Sequence, residues 1–330
     1  MTNTDCKYMG LSLKSPVIVG SCGLTNSIEK MQKMEEYGAG AIVLKSIFEE
    51  QITNEVLQSV ENTHFDVSYH DASDYIKGYT QMASYEKYTN LIRNAKKELS
   101  IPVIASINCS SDGDWVTYAK RIEDAGADAL ELNIFFLPTD FNRNGADNEE
   151  LYFKIIEGVK SAINIPIALK TGYYFSGLAR MLQSLSYTGI SGLVLFNRFF
   201  APDIDIEKMK IKAAPLITEG DGEGFYNSLR WIALMYNHVN CNLSATSGIS
   251  TGNDVIKQLL VGADTVQIAS ILYSKGIESI KKITDEILAW MNKHNYSSIN
   301  EFKGKMSFNN IENPEAYLRI QFMKYFSGIE

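Results

Sequence analysis

Hydrogen-bonding and reactive side chains recur in this 330-residue chain at one kind of place, directly behind a short apolar run. Ser21-Cys22-Gly23, Lys45-Ser46, Asn108-Cys109, Asn133, Lys170-Thr171, Asn197-Arg198, Ser247-Gly248 and Ala269-Ser270 each follow a stretch rich in Val, Ile, Leu or Ala. Taken singly, each reads as a solvated strand end. Brought to one rim, two ammonium groups and three carboxamides make a donor set suited to a flat, electron-rich, partly anionic ligand. Ser247-Gly248 and Ala269-Ser270 are small enough for their backbone N–H groups to approach a phosphate. Small residues also serve simply as tight turns.

The elements that must position these groups repeat. Glu36-Tyr37-Gly38-Ala39-Gly40, Asp124-Ala125-Gly126-Ala127-Asp128, Tyr187-Thr188-Gly189-Ile190-Ser191 and Val261-Gly262-Ala263-Asp264 each lead into an apolar run. The glycine stands where a helix must stop, because a positive φ there costs it least. Three further runs begin behind a proline, at Pro16, Pro102 and Pro166, a place where the missing N–H is tolerated. The reading predicts strands near 17–21, 41–45, 103–108, 129–133, 167–170, 192–197, 241–245 and 264–268. Helices are expected between them, over 28–37, 84–99, 115–125, 148–163, 175–187, 226–239 and 252–261. Eight strand–helix units predict an α/β fold of the (β/α)8 TIM-barrel class. An open doubly wound sheet also alternates strand and helix, but the first turn, Gly20-Ser21-Cys22-Gly23-Leu24, is not G-x-G-x-x-G. A single domain over 1–330 is expected, with insertions at about 49–82 and 199–225 and a C-terminal extension over about 275–330. Both insertions leave from strand C-terminal ends, the face where barrels build sites.

Composition limits the partners. Lys plus Arg number 31 against 39 Asp plus Glu, a formal charge of −8, whereas a general nucleic-acid binder presents a basic face. No apolar run approaches the roughly 20 residues of a membrane span. The first residues show no secretory signal pattern. The four cysteines are widely separated, without the spacing of a zinc site or a disulfide framework. The expectation is a cytoplasmic protein with a small-molecule ligand, no metal, and neither nucleic acid nor membrane as partner.

These segments resemble the dihydroorotate dehydrogenase family of FMN-containing barrels, most closely its soluble class 1 branch. The likeness is carried by Ser15-Pro16-Val17 through Gly23, Val43-Leu44-Lys45-Ser46, Glu131-Leu132-Asn133, Ala168-Leu169-Lys170, and Ala245-Thr246-Ser247-Gly248-Ile249 through Val266-Gln267-Ile268-Ala269-Ser270. The resemblance implies FMN, with cofactor contacts from Ser21, Cys22, Gly23, Lys45, Ser46, Asn133, Lys170, Asn197, Ser247, Gly248, Ala269 and Ser270. Lys170 would lie at the pyrimidine edge of the flavin, where its charge stabilises the reduced form, and Lys45 would contact flavin and substrate. Asn133 and Asn197 would orient the ligand, and the Ser247, Gly248, Ala269 and Ser270 group would hold the phosphate. A homodimer is implied as well.

The chain departs from the family pattern where the proton is removed. The family's strand-four loop reads Glu-Leu-Asn-x-Ser-Cys-Pro-Asn; here it is Glu131-Leu132-Asn133-Ile134-Phe135-Phe136-Leu137-Pro138, and Phe136 occupies the base position. The family's Asn-Ser after strand six becomes Asn197-Arg198, and its substrate loop is not recognisable in the first insertion. Replacement bases are Cys22, Cys109, His64, His70, Thr139 and Asp140, each with an ordinary structural role as its alternative. Arg198 suits a carboxylate or other planar anion, or else a surface salt bridge. Phe135, Phe136, Tyr173, Tyr174, Phe175, Phe199 and Phe200 could wall an apolar slot. Three functions stay open: an FMN-dependent CH–CH oxidoreductase acting on dihydroorotate or another dihydropyrimidine, an FMN-binding protein without that activity, and a flavin-free phosphate-binding barrel with Lys170 as a Schiff-base lysine.

Overall fold

The computed structural model describes residues 2–48, 85–108, 114–198, 202–213 and 222–318. Eight parallel strands close into a barrel: β3 (Val17–Val19), β4 (Ala41–Val43), β6 (Val103–Asn108), β7 (Ala129–Asn133), β8 (Ile167–Thr171), β9 (Gly192–Leu195), β12 (Asn242–Thr246) and β13 (Thr265–Ile268). β3 pairs with β13 on one side and β4 on the other, and β4 with β6, so no edge is left. A short β5 (Ile47–Phe48) continues the pairing along β6 beyond β4. The expected (β/α)8 class and all eight expected strands are present. The strands are mostly apolar because both faces are covered, by helices outside and by the barrel's own side chains inside.

The predicted joints have the backbone their glycines suggested: φ is +95° at Gly38, +91° at Gly126, +87° at Gly189 and +120° at Gly262. Two of the joints add a carboxylate tie. Asp128 Oδ2 accepts from the Val103 N–H at 2.7 Å and pairs with Lys96 at 2.6 Å. Asp264 Oδ2 likewise accepts from the Leu243 N–H at 2.8 Å while Oδ1 pairs with Lys303 at 2.7 Å. Each aspartate thus anchors the start of the neighbouring strand.

Two hairpins lie outside the barrel. β1 (Cys6–Tyr8) and β2 (Leu11–Leu13) pair antiparallel around Met9 and Gly10, whose φ values of +55° and +79° are those of a tight primed turn. This hairpin closes the barrel floor: Tyr8, Met9 and Leu13 pack against Ile18, Ala41, Ile104, Ala129, Ala168 and Val194. Gly192 makes room for it, since a Cβ there would come 3.0 Å from the Tyr8 hydroxyl oxygen. The second hairpin, β10 (Pro202–Asp205) and β11 (Lys210–Ala213), follows β9. On one face it exposes Ile204 (63%), Ile206 (78%), Met209 (87%) and Ile211 (77%).

Some details differ from expectation. The helix before β12 starts at Gly222, so Gly222-Glu223-Gly224 forms its first turn rather than the end of a loop. The extension expected from about 275 opens on a helix, Ser279–Lys293, set off from the short helix Ser270–Ser274 by Gly276, where φ is +84°. The extension beyond it is irregular but docked: the Gly304, Met306 and Phe308 N–H groups bond to the Leu259, Leu260 and Ala233 carbonyls, and Phe302 is buried.

Candidate functional site

At the C-terminal ends of the strands the polar residues are bound to one another across the barrel. Ser21 Oγ, behind β3, accepts from the Ser46 N–H at 2.8 Å, and Ser46 Oγ lies 2.7 Å from Ser106 Oγ, so β3, β4 and β6 are laced by hydroxyls. The amides converge in the same way. Asn108 Nδ2 donates to the Asn133 carbonyl at 2.9 Å, and Asn197 Nδ2 to Asn133 Oδ1 at 2.5 Å. Asn133 is buried and sits in register with Lys170.

Beneath this layer the barrel interior is polar. Glu131 Oε2 accepts from Gln267 Nε2 at 2.6 Å, Lys170 Nζ lies 3.9 Å from Glu131 Oε1, and the same ammonium donates to Gln267 Oε1 at 3.5 Å. Buried charge is tolerated when it is paired and hydrogen-bonded.

A cavity of about 160 Å³ opens above Lys170. Its wall holds Lys170 from β8, Phe196, Asn197 and Arg198 from behind β9, and Thr246, Ser247, Gly248, Ile249, Gln267, Ile268, Ala269 and Ser270 from the ends of β12 and β13. Ser247 and Gly248 both have left-handed backbones, φ +80° and +69°, and Ser247 Oγ donates to the Phe196 carbonyl at 3.2 Å. A positive φ is costly for serine, so the bend after β12 is held against local preference by its surroundings.

Of the thirteen residues given cofactor or substrate roles from the sequence, Lys170, Asn197, Arg198, Ser247, Gly248, Ala269 and Ser270 line this cavity. Asn133 is tied to its rim through Asn197. Ser21, Cys22, Gly23, Lys45 and Ser46 stand at the same end of the barrel, behind β3 and β4, but are not part of the wall. Gly23 leaves space for Tyr273, whose hydroxyl oxygen would lie 2.9 Å from a Cβ there. Thr246, Ile249, Phe196, Gln267 and Glu131 escaped the sequence reading as site residues. A carboxylate and an amide interrupting the apolar runs of β7 and β13 were the available signal.

The replacement bases fare unevenly. Burial pushes the Cys22 thiol up, away from the range of a thiolate at neutral pH. Asp140 accepts from the Asn142 N–H at 2.9 Å in an exposed turn, its ordinary structural role, and Thr139 is exposed beside it. Phe136 packs edge-on against Tyr152 at 5.8 Å, and Tyr152 against Phe175 at 5.2 Å. Tyr173 stacks on Tyr174 at 4.9 Å and meets Phe196 edge-on at 5.6 Å, so this aromatic group reaches the cavity through Phe196. His64, His70, Cys109, Phe199, Phe200 and the insertion at 49–82 lie outside the described residues. Among the described residues no cluster of His, Cys, Asp and Glu could hold a metal ion, and no helix is long and apolar enough to cross a membrane.

Comparison with known proteins agrees with this geometry. The family model described as dihydroorotate dehydrogenase matches residues 3–291. The chain is 24% identical over 299 residues to the Methanocaldococcus jannaschii protein named dihydroorotate dehydrogenase B (NAD(+)), catalytic subunit, covering 87% of this chain and 92% of that one. It is 27% identical over 329 residues to the Lactobacillus helveticus dihydroorotate dehydrogenase A (fumarate), covering 94% of this chain and 100% of the relative. With a closed eight-stranded barrel and a family model matching residues 3–291, the chain belongs to the dihydroorotate dehydrogenase family.

Proposed function

We propose that this protein is an FMN-dependent oxidoreductase that exchanges a hydride with a small planar substrate, dihydroorotate or another dihydropyrimidine. The observation that carries the reading is one cavity lined together by Lys170, Asn197, Ser247, Gly248, Ala269 and Ser270. The donor set fits FMN in kind: a fixed cation and amides for an electron-rich ring edge, and small residues with accessible backbone N–H groups for a phosphate. Bound FMN supplies hydride acceptance at N5. The chain's own residues bind and orient. Lys170 stabilises negative charge at the ring edge, Asn133 and Asn197 hold one another and the ligand in a fixed orientation, and Arg198 receives an anionic group of the substrate. Lys45, Ser46, Ser21, Cys22 and Gly23 complete the cofactor's surroundings from the β3 and β4 side.

A second reading, an FMN-binding protein without dihydroorotate dehydrogenase activity, is favoured by one observation. Phe136 carries no proton acceptor, and its ring is drawn toward Tyr152. Anaerobic mixing of the FMN-loaded protein with dihydroorotate, dihydrouracil and related compounds separates the two. Bleaching of the flavin absorbance supports the oxidoreductase. Stable FMN binding without bleaching by any of them supports the second reading. Failure to take up FMN on titration removes both.

The protein is further proposed to be a single cytoplasmic domain that pairs as a homodimer. The exposed apolar face of β10–β11 supports the pairing, because an isolated two-stranded hairpin is marginal in water. β10 carries Asp203 and Asp205, whereas β11 carries Lys210, with Asp205 opposite Lys210. These charges alternate with the isoleucines and so lie on the opposite face of the hairpin, which leaves the pairing face apolar.

A further inference from the structure

We propose that Glu131 is a positioning residue of this site: its buried carboxylate holds Lys170 and offsets part of the ammonium's field, and thereby sets the reduction potential of the bound cofactor. The inference rests on the FMN reading and deepens it. Glu131 stands inside the barrel in the middle of β7, opposite Ser106 on β6 and Ala168 on β8, and is 1% exposed. An uncompensated carboxylate is strongly disfavoured there, and its compensation is specific. Oε2 takes one short hydrogen bond from Gln267, while Oε1 accepts none and lies within 3.9 Å of Lys170 Nζ. The Gln267 amide is held between the two charges, with Nε2 on the carboxylate and Oε1 on the ammonium. Gly20 leaves space for that amide, since a Cβ at Gly20 would stand 3.3 Å from both Gln267 Cβ and Oε1. The field of Glu131 reaches further down the barrel as well: the Tyr8 phenol is held well above its usual range first by burial and next by Glu131.

Reduction adds negative charge to a flavin, which a neighbouring cation favours and a neighbouring anion opposes. Lys170 forms part of the cavity wall, and Glu131 lies directly behind it. Glu131→Gln keeps the shape and an acceptor for Gln267 but removes the negative charge, leaving the ammonium's field unopposed.

The test is the midpoint potential of the full-length protein loaded with FMN, measured by anaerobic titration against redox dyes, together with the FMN dissociation constant. E131Q is expected to favour reduced over oxidised FMN at least tenfold more than the unaltered protein does, an upward shift of about 30 mV for a two-electron couple. A general loss of packing would weaken FMN binding without this directed change in potential. An unchanged or lowered potential in E131Q that still binds FMN overturns the inference and leaves the FMN reading standing. Absence of FMN uptake by the unaltered protein overturns both. Should E131Q not fold, E131D retracts the same charge by one methylene and is expected to shift the potential in the same direction by less. No shift in E131D then overturns the proposal.

Discussion

Replacing Lys170 with methionine isolates what holds a carboxylate inside this barrel. Across 3.9 Å the Lys170–Glu131 attraction amounts to about 4 kcal/mol at an effective dielectric constant of roughly 20. Methionine fills similar space and regains about 1 kcal/mol of apolar burial, so K170M is expected to lose about 3 kcal/mol, within the range for breaking a buried pair from one side. For a chain of this size that corresponds to a fall in Tm of roughly 5 °C. The assay is thermal and urea unfolding of the cofactor-free protein, which separates stability from ligand binding. The decisive comparison is the double variant E131Q/K170M. Removing both charges leaves no orphaned ion, so most of the loss should return and the two single effects should be far from additive. Wild-type unfolding of K170M, or a double variant less stable than K170M, would refute the argument that these two groups compensate each other.

Three further outcomes are expected. Ser270→Asp, placing a negative charge in the cavity wall at an exposed position, should raise the FMN dissociation constant at least tenfold by fluorescence titration while the unfolding midpoint stays unchanged. The Cys6 and Cys241 thiols are both pushed up to about 12, first by burial and then by the nearby Asp264 carboxylate. Their raised folded pKa contributes stability that is fully present below the ordinary thiol value of 9.0 and is lost as pH rises toward 12, so urea midpoints should fall across that window and fall less in C6A/C241A. Ile204→Glu with Ile211→Glu, on the exposed face of β10–β11, should convert the proposed dimer to monomer in sedimentation; a monomer before substitution would end that proposal.

The barrel was legible because its signals are local. An apolar run of four or five residues behind a helix-stopping glycine needs no partner to be recognised, and Gly38, Gly126, Gly189 and Gly262 do adopt the positive φ that their position suggested. The strand-end residues were legible for the same reason, each being the first polar side chain after such a run. The two hairpins were not. Cys6-Lys7-Tyr8 and Leu11-Ser12-Leu13 are too short to show a period, and their turn uses Met9 rather than Asn or Asp. Asp203-Ile204-Asp205 and Lys210-Ile211-Lys212 do alternate, but inside a polar insertion that pattern carries little weight. The Glu131–Gln267 contact spans 136 positions and exists only because β13 and β7 face each other across a closed barrel, so no local window contains it.

The hairpin plug at the barrel floor has a kinetic consequence. With Tyr8, Met9 and Leu13 filling the lower end, the described residues leave Lys170 open to ligands from the strands' C-terminal end rather than from the floor. A reductant and an oxidant that both react at a cofactor seated there must take turns at one doorway, so turnover should show parallel double-reciprocal lines. The first product should then compete with the second substrate rather than with the first.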